Sequence, residues 1–559
     1  MKNVIIPVLC LFLQNSIAQN FQWGFGIGGN GQDVPCSIQV DSSGNVYVCS
    51  KISGNFDADP GTGIAIANAT YATTFVGKYD ANGNYLWHFN YNTSSEPNCL
   101  RLVDNNHFIV IGSHYGPLDL DPGSDSSIVN GPGAYMAKYD LNGNLIWGKG
   151  ISNIFLGSFQ MNSFFYSDHD GNIFLTGSAG SNTDFDPGPD TISINSNGVF
   201  FAKYDSSGNY ILAKILQGFS NNMHGTDIAT DASGNIYLTG IFNNTIDLDP
   251  DSGSANFTAA GFNNFDDIFM AKYNVSGNFL NGFQIGGIGL DGGTALLLDD
   301  SANIILAGSF SGSADFDPGT SMNSKNSAQA DAFIAKYDSS FNFKWVKQLG
   351  GLRDQRLTAL VRNPAGGIGI TGYYEANSDF DPGTGTSNTN TILGFDEIFA
   401  AFYDNEGNYI YSMGVGGPDY DHCFALAMDI TGGFYLAGEF IDSMDCDPSP
   451  ASSMIYSAND YDIYFAKYSS IINSVESFDE HKQAFLYPVP CKDVLYINLN
   501  EIAAPKLVTI YNYEGKQVSG KILSGKIQTI DIHELKAGMY YIKIISDNET
   551  FSGRIIKAD

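Results

Sequence analysis

Seven times the chain writes two aspartates around a single residue and follows them with proline. The pairs are Asp57 and Asp59, Asp119 and Asp121, Asp184 and Asp186, Asp247 and Asp249, Asp315 and Asp317, Asp379 and Asp381, and Asp445 and Asp447. Paired carboxylates at this spacing admit three chemistries. One could act as acid and the other as base; both could join turn carbonyls around a hard cation such as Ca²⁺; or each could accept hydrogen bonds from turn amides. On extended chain, residues two apart project to the same side. The residue between them is Ala58, Leu120, Phe185, Leu248, Phe316, Phe380 or Cys446. It is apolar each time, so it turns to the core and the carboxylates turn away. Seven equivalent copies argue against catalysis, which needs one copy made different. The spacing is not that of an EF-hand, and further acids recur irregularly, as Asp125 and Asp190. Amide capping is the first reading of the motif and Ca²⁺ binding the second. Glycine after most of the prolines predicts a turn with positive φ at that glycine.

Other chemistry-bearing patterns are sparse. "GFGIGG" at 24–29 fits a Gly-x-Gly-x-x-Gly spacing but opens no strand–helix unit. Similar glycine pairs recur at Gly286, Gly350 and Gly416 as strand-end punctuation. No His-Glu-x-x-His, no Gly-x-Ser-x-Gly and no Cys-x-x-Cys occurs. Cys36 and Cys99 fall into one repeat column with Ser163, Thr226, Thr294 and Thr358, which reads as small buried side chains. Cys36 and Cys49 could also face each other across a hairpin. Trp23, Trp87, Trp147 and Trp345 share one strand position, and a lysine column (Lys78, Lys138, Lys203, Lys272, Lys336, Lys467) breaks once, at Phe402.

These residues sit in a repeat. Successive first aspartates are 62–68 residues apart, and three more elements keep step. "FVGKYD" (75–80) returns with a tyrosine never lost: Tyr79, Tyr139, Tyr204, Tyr273, Tyr337, Tyr403 and Tyr468. Around it come a strand such as "YLWHF" and a hairpin such as "SIQVDSSGNVYVCS", with Asp-x-x-Gly-Asn at the tight joins. Each unit therefore holds four short strands, here a, b, c and d. One four-stranded sheet cannot bury both faces, but sheets packed radially can. The first repeat is preceded by an orphan d strand, "FQWGFGIGG", and the last ends without one. The expected fold is all-β: a seven-bladed β-propeller over 19–470, closed by its N-terminal strand, which removes the open edges. The motifs "DxDPG", "IFxAKYDxxGNxxW" and "DxxGNxYxTG" resemble the bacterial β-propeller repeat family labelled SBBP. That resemblance implies architecture and no particular activity.

The 559 residues carry 59 Asp+Glu against 27 Lys+Arg, a formal charge of −32. Nucleic acid and anionic membrane surfaces are poor partners for such a chain. Lys2, the apolar run "VIIPVLCLFL" and the small residues before Gln19 read as an export signal over 1–18, cut between Ala18 and Gln19. No later segment is long and apolar enough to span a bilayer as a helix.

After Ser470 the repeat stops. A polar stretch (471–484) reads as a linker, and a strand-rich module (485–559) follows, expected to be a small β-sandwich. Its landmarks are Tyr487, Pro488 and Pro490, the turn at Tyr511 and Gly515, then Gly538, Tyr540 and the basic end at Lys557. In that order they resemble the C-terminal sorting domain of the type IX (Por) secretion system of Bacteroidota, with Val489 departing from the usual "YPNP". The resemblance implies that the type IX machinery is a partner and that the propeller reaches the cell surface or medium.

The functional expectation is a surface-delivered, non-catalytic binding or scaffold module for an extracellular glycan or protein. Chain direction puts the long b–c loops, with their acidic motif, on one face with the d–a connections and their acids Asp33, Glu96, Asp291 and Asp421. The alternative is a secreted polysaccharide hydrolase or lyase, which predicts unlike His, Arg or carboxylate residues converging on the channel.

Overall fold

The computed structural model describes residues 21–152, 154–156, 165–218, 223–261, 265–351, 353–364, 366–389, 395–458 and 460–469 of the repeat region. In the tail it describes 484–487, 494–499, 506–512, 517–523, 527–533, 535–536, 538–546 and 549–557. Ala18 and Gln19, residues 470–483, Cys491, and Pro488, Pro490 and Gly515 lie outside the described residues. The chain divides into two compact units, Met1–Ile471 and Ile472–Asp559.

Each repeat folds as an antiparallel a-b-c-d sheet. In the first, Val34–Val40, Val46–Ile52, Thr73–Tyr79 and Tyr85–Asn90 pair in that order. Strands b and c are buried along almost their whole length, while strand d is half exposed. This suits strands covered by neighbouring sheets on both faces, and explains why b and c read as continuous apolar runs. The Asp-x-x-Gly-Asn joins are self-capped turns. Asp41 Oδ1 accepts from the amides of Ser43 and Asn45, both at 2.9 Å, and Gly44 adopts φ 82°. Only a residue without Cβ enters that region at little cost.

The ring closes between distant parts of the sequence. Phe21–Ile27 pairs with Asp462–Tyr468, completing the sheet of Asp421–Met428 and Phe434–Phe440. Strand a of that last sheet packs on Val34–Val40 of the first, which packs on Ser95–Leu102. Further round, His224–Thr230, Asp291–Leu298 and Gln355–Arg362 pack in series and return to Asp421–Met428. The core lies between sheets: one apolar cluster joins Ile38, Val48 and Phe75 of the first repeat to Tyr435 and Phe465 of the last. The unit is a β-propeller with four-stranded blades, and no helix occurs among the described residues.

Seven separate blades are expected from the repeats. Among the described residues five blades are separate, four of four strands and one of five, in which Ile154–Phe155 adds an edge. The fourth and fifth repeats instead share one ten-stranded sheet. The cause is a short ladder between repeats: Gly286 and Gly287, ending strand d of the fourth, pair with Asp315 and Ala314 of the fifth. Gly350 and Gly351 pair in the same way with Asp379 and Ser378 of the sixth.

Strand a carries a one-residue bulge that shifts one column assigned from sequence. Cys36, Thr226, Thr294 and Thr358 occupy the bulge, but so does Asn98, which leaves Cys99 one position further on, level with Ser37 and Asp227. The five described cysteines are buried and form no disulfide with one another, and Cys36 Sγ donates to the Cys49 carbonyl at 3.2 Å.

In the second unit, Ala484–Tyr487, Val494–Leu499 and Ile527–Asp531 form one sheet. Gln517–Leu523, Lys506–Asn512, Gly538–Ser546 and Glu549–Lys557 form another, in that spatial order. Gly538 pairs with Lys557, so two sorting landmarks meet across one ladder. Tyr540 is buried and its hydroxyl donates to the Lys536 carbonyl at 2.9 Å. Tyr487 stands in the other sheet, opposite Tyr496.

Candidate functional site

The acidic motif caps its own turn in all seven copies. Oδ1 of the first aspartate accepts the amide of the second at 3.0–3.2 Å, and an amide eight residues on at 2.7–2.9 Å. Oδ1 of the second accepts the amide two residues on, at 2.7–3.0 Å. The glycine after proline does not have positive φ, contrary to the expectation from sequence. Its value is steric: a Cβ on Gly61 would press on the Asp59 carboxylate at 3.0 Å. Asp251 and Ser449 stand at that place in two copies. No group of three or more His, Cys, Asp or Glu side chains suited to a metal ion occurs among the described residues.

The invariant tyrosine of strand c explains where the motif goes. Its hydroxyl donates to the carbonyl of the residue between the aspartates, at 2.7–3.1 Å in every repeat. All seven tyrosines are fully buried. Because this tyrosine ends strand c, the bond draws the turn back along the outside of the blade. In the second repeat Asp121–Asp125 lines a cavity of about 460 Å³ beside 142–145, the c–d turn, and Trp87 of the preceding blade. In the second repeat the tip of the motif therefore stands beside the short c–d turn, while in the fifth, sixth and seventh repeats the first aspartate pairs with a glycine at the end of the preceding strand d, where the d–a connection begins. Tyr337→Phe is expected to cost about 1–2 kcal/mol, since it leaves the buried Phe316 carbonyl without its donor. Urea unfolding monitored by near-UV circular dichroism measures it; a loss under about 0.3 kcal/mol would contradict the anchoring role.

A different acid set occupies the face of the long connections. Strand a opens on Asp33, Asp291 and Asp421, and the preceding blade's strand c opens beside them on Asp462, Asp267 and Glu397. The glycine pairs, read from sequence as punctuation, fit these acids. A Cβ on Gly28, Gly286 or Gly416 would collide with the strand c acid, and the amides of Gly29, Gly287 and Gly417 donate to the strand a acid at 2.6–3.1 Å. Oδ1 of Asp267, Asp421 and Asp462 is buried with no hydrogen-bond partner. Burial first, then the neighbouring carboxylate, raises Asp291 and Asp421 to about 8. Asp33 rises to about 7, and Asp267 and Asp462 to about 6, mainly by burial.

One junction differs from the rest. His422 bonds Asp396 through Nε2 and Glu439 through Nδ1, each at 3.0 Å, and lies 4.4 Å from the Tyr373 ring. Burial opposes its charge, but the two carboxylates prevail and raise it to about 9. Exposed aromatics surround this face where chains enter and leave it: Tyr71, Tyr115, Phe265, Phe395 and Tyr420. Tyr115 donates to Glu96 at 2.9 Å, and Phe395 and Tyr420 lie edge to face at 5.0 Å.

The channel is also unequal around its axis. A cavity of about 670 Å³ is lined by Arg101, Tyr166, Asp227, Leu296, Leu297, Leu360 and Arg362, among others. At the strand a position where Asp227 stands, other repeats have Ser37, Cys99, Ala295, Ala359 and Ala425. Burial lifts Asp227 to about 7, against the pull of Arg101. The sequence offered one signal for this site, the rarity of arginine: five in the chain, of which Arg101, Arg356 and Arg362 lie on strand a.

The lysine and tryptophan columns are fasteners. Lys78, Lys272, Lys336 and Lys467 each donate to a carbonyl in a neighbouring blade's c–d turn, at 2.9–3.1 Å. Trp23, Trp87, Trp147 and Trp345 cover the glycine of a similar turn: Gly83, Gly143, Gly208 and Gly407. The break at Phe402 is a packing exchange. Phe402 stands opposite Gly369, where other lysines face Tyr47 or Tyr237, and its ring meets Phe434 of the next blade at 4.8 Å.

Fold and tail together define the class: a β-propeller carrying a secretion signal at its C-terminal side. Residues 485–558 match the family model of the secretion system C-terminal sorting domain. The type IX sorting domain is thus present, and it directs the chain to the cell surface or extracellular space. Over 89% of its length the chain is 21% identical to an uncharacterized WD repeat-containing protein of Acanthamoeba polyphaga mimivirus, covering 41% of that protein. Over 52% it is 22% identical to the regulatory protein FlaEY of Caulobacter vibrioides, covering 31% of it. The chain spans less than half the length of these relatives. Among solved structures, the plexin A4 extracellular region aligns over 96% of this chain and 62% of its own, at 6% identity and a TM-score of 0.27.

Proposed function

We propose that this chain is a secreted binding or scaffold module, non-catalytic, that takes an extracellular glycan or protein on the face of its long connections. The observation that carries the reading is the set of five exposed aromatics on that face, Tyr71, Tyr115, Phe265, Phe395 and Tyr420, interleaved with carboxylates. Flat rings with adjacent hydrogen-bond acceptors suit the apolar faces and hydroxyls of sugars, and equally the side chains of a protein partner. The reading counts the ten-stranded sheet as two blades joined by a strap, which gives a seven-bladed ring over 19–470. It takes the two sheets of 485–559 as a sandwich that serves secretion, after an export signal cut between Ala18 and Gln19.

A glycan and extracellular-protein array, probed with the full chain, tests it. Binding that falls at least tenfold in Tyr115→Ala combined with Tyr420→Ala is expected; no ligand on any array contradicts it. Calcium at the acidic turns is tested alongside. Amide capping expects equal melting temperatures in millimolar Ca²⁺ and in EDTA, whereas a rise in Ca²⁺ assigns the ion to these turns. A second reading, a secreted polysaccharide hydrolase or lyase, draws on the unequal channel residues Arg101, Tyr166 and Asp227. Turnover of a polysaccharide panel, lost in Arg101→Met, would favour it over the first.

A further inference from the structure

We propose that the outer rim of the seventh, first and second blades is a docking surface for a basic, amphipathic polypeptide. After each acidic motif the b–c connection returns as a short strand. In these blades it lies along strand d: Met454–Tyr456 on Phe21–Ile27, Ile66–Ala67 on Tyr85–Asn90 and Ile128–Val129 on Leu145–Ser152. Register then fixes which residue stands opposite the first aspartate. It is Ile66, Ile128 and Met454 in the first, second and seventh repeats, but Ser193, Asn256, Ser324 and Asn388 in the other four. The three apolar blades are consecutive, because the ring closes between the seventh and the first. Ile66, Ile128 and Met454 are 42–56% exposed, and Ile64 and Tyr456, two residues away on the same strands, are 81% and 71% exposed. Tyr456 stands where other repeats have Asn68, Asn130, Thr258 and Asn326. Single exposed aliphatic residues are ordinary on a protein surface. A run of them over one arc, with polar residues at the same register round the rest of the ring, marks an interaction surface.

The chemistry of the arc selects its occupant. Pairing sets Ile66 beside Asp57, Ile128 beside Asp119 and Met454 beside Asp445, so apolar and anionic groups alternate across it. These aspartates are only partly buried. The amides that Asp57 and Asp445 cap use Oδ1, and the second oxygen of each carboxylate is left for a partner. The connections 53–72, 115–132 and 441–461 contain no Lys or Arg. A segment that alternates aliphatic side chains with Lys or Arg meets both features at once. A glycan suits the arc less well, because sugars stack on rings and the arc is mostly aliphatic. A second copy would set like charge against like, in a chain of net charge −32.

Fluorescence anisotropy of labelled peptides titrated with the full chain tests the surface. One probe alternates leucine with lysine, a second serine with lysine, and a third leucine with glutamate. The leucine–lysine peptide is expected to bind, the serine–lysine peptide about tenfold or more weakly, and the leucine–glutamate peptide not at all. Ile66→Ser combined with Ile128→Ser and Met454→Ser is expected to weaken the leucine–lysine peptide by a similar factor. Ile211→Ser with Leu280→Ser, exposed aliphatic positions on strand d of the third and fourth blades, is expected to leave it unchanged. Equal binding of the two lysine peptides would overturn the proposal, as would unaltered affinity in the folded triple variant, or no binding of the leucine–lysine peptide. A dimer in sedimentation that the triple variant abolishes would give the arc to a second copy, and a glycan signal that it abolishes would give it to a sugar; either result overturns the proposal. Tyr115 and Tyr420 are intact in every variant, so the outcome is separate from that of the glycan or protein site on the long connections. Should the triple variant not fold, the comparison of the three peptides on the wild-type chain decides alone.

Discussion

A chain that starts at residue 34, and so lacks Phe21–Ile27, is expected to lose the cooperative unfolding of the propeller. The deleted strand is the fourth of the last blade. Its backbone pairs with Asp462–Tyr468 from Phe21 to Ile27, with one irregularity near its start. Trp23 and Phe25 stack on each other, Phe25 lies 5.1 Å from Tyr79 of the first blade, and Trp23 Nε1 donates to the Ala81 carbonyl at 3.1 Å. The strand thus completes one blade and fastens it to the next. Truncating a single large aromatic in a core costs about 3–5 kcal/mol. Here two are lost with a backbone ladder, from a domain whose whole margin is on the order of 5–15 kcal/mol. Removal also bares a long strand edge, which invites aggregation. Thermal unfolding followed at 295 nm and size-exclusion chromatography check this. A truncated chain that stays monomeric and melts within about 5 °C of the full one would show that the ring does not depend on the strand. A synthetic peptide of residues 19–31, added to the truncated chain, is expected to restore part of the transition.

The propeller is expected to be markedly more stable near pH 5 than near pH 9. The folded state holds Asp291 and Asp421 at about 8, Asp33 at about 7, and Asp267 and Asp462 at about 6, with burial the largest cause in each. A group whose folded pKa lies above its unfolded value binds protons more tightly when folded. It contributes fully below the unfolded pKa, near 4, and the contribution is lost as pH rises through 6 to 8. His422, raised to about 9, acts in the same direction at higher pH. The turn aspartates Asp80, Asp140 and Asp205 behave oppositely. Burial pushes them up, but amide and asparagine donors outweigh it and hold them below the usual range. Their support is lost only as pH falls below about 4. The optimum therefore falls in the mildly acidic range. A tenfold difference in proton affinity between the folded and unfolded chain is worth about 1.4 kcal/mol, so the buried pairs together account for several kcal/mol between pH 5 and 9. Asp291→Asn with Asp421→Asn is expected to flatten the slope, since an amide cannot ionise yet still accepts from Gly287 and Gly417. A melting temperature constant from pH 5 to 9 in the wild type would refute the assignment.

The repeat and its strands were legible because their determinants are side-chain types at fixed spacing: the unbroken tyrosine, the capped Asp-x-x-Gly-Asn turns, the aromatic strand d. N-terminal strand pairing was legible from strand bookkeeping alone. The shared ten-stranded sheet was not, because it depends on backbone pairing between Gly286–Gly287 and Ala314–Asp315, which no side chain announces. Nor was the place of the acidic turn. The length of a b–c connection does not say which way it folds, and the tyrosine hydroxyl that decides this comes some twenty residues later. The junction acids were partly visible, as Asp33, Asp291 and Asp421; their partners Asp462, Asp267 and Glu397 looked like ordinary strand ends. Arg101 was hidden because one unlike residue in a repeat looks like drift until its position on the axis is known.

The tie between Phe21–Ile27 and Asp462–Tyr468 sets an order of events during export. This strand, at the N-terminal side of the repeat region, has to wait during translocation for nearly the last strand of that region. Until then every blade edge at the seam is open, and the contacts that close it carry the greatest loop entropy in the domain. The partner strand emerges just ahead of the sorting domain at 485–558. The segment read by the secretion machinery therefore becomes available only once the ring has everything it needs to shut. Chain order alone acts as a timer, presenting the export tag together with the means of completing the cargo.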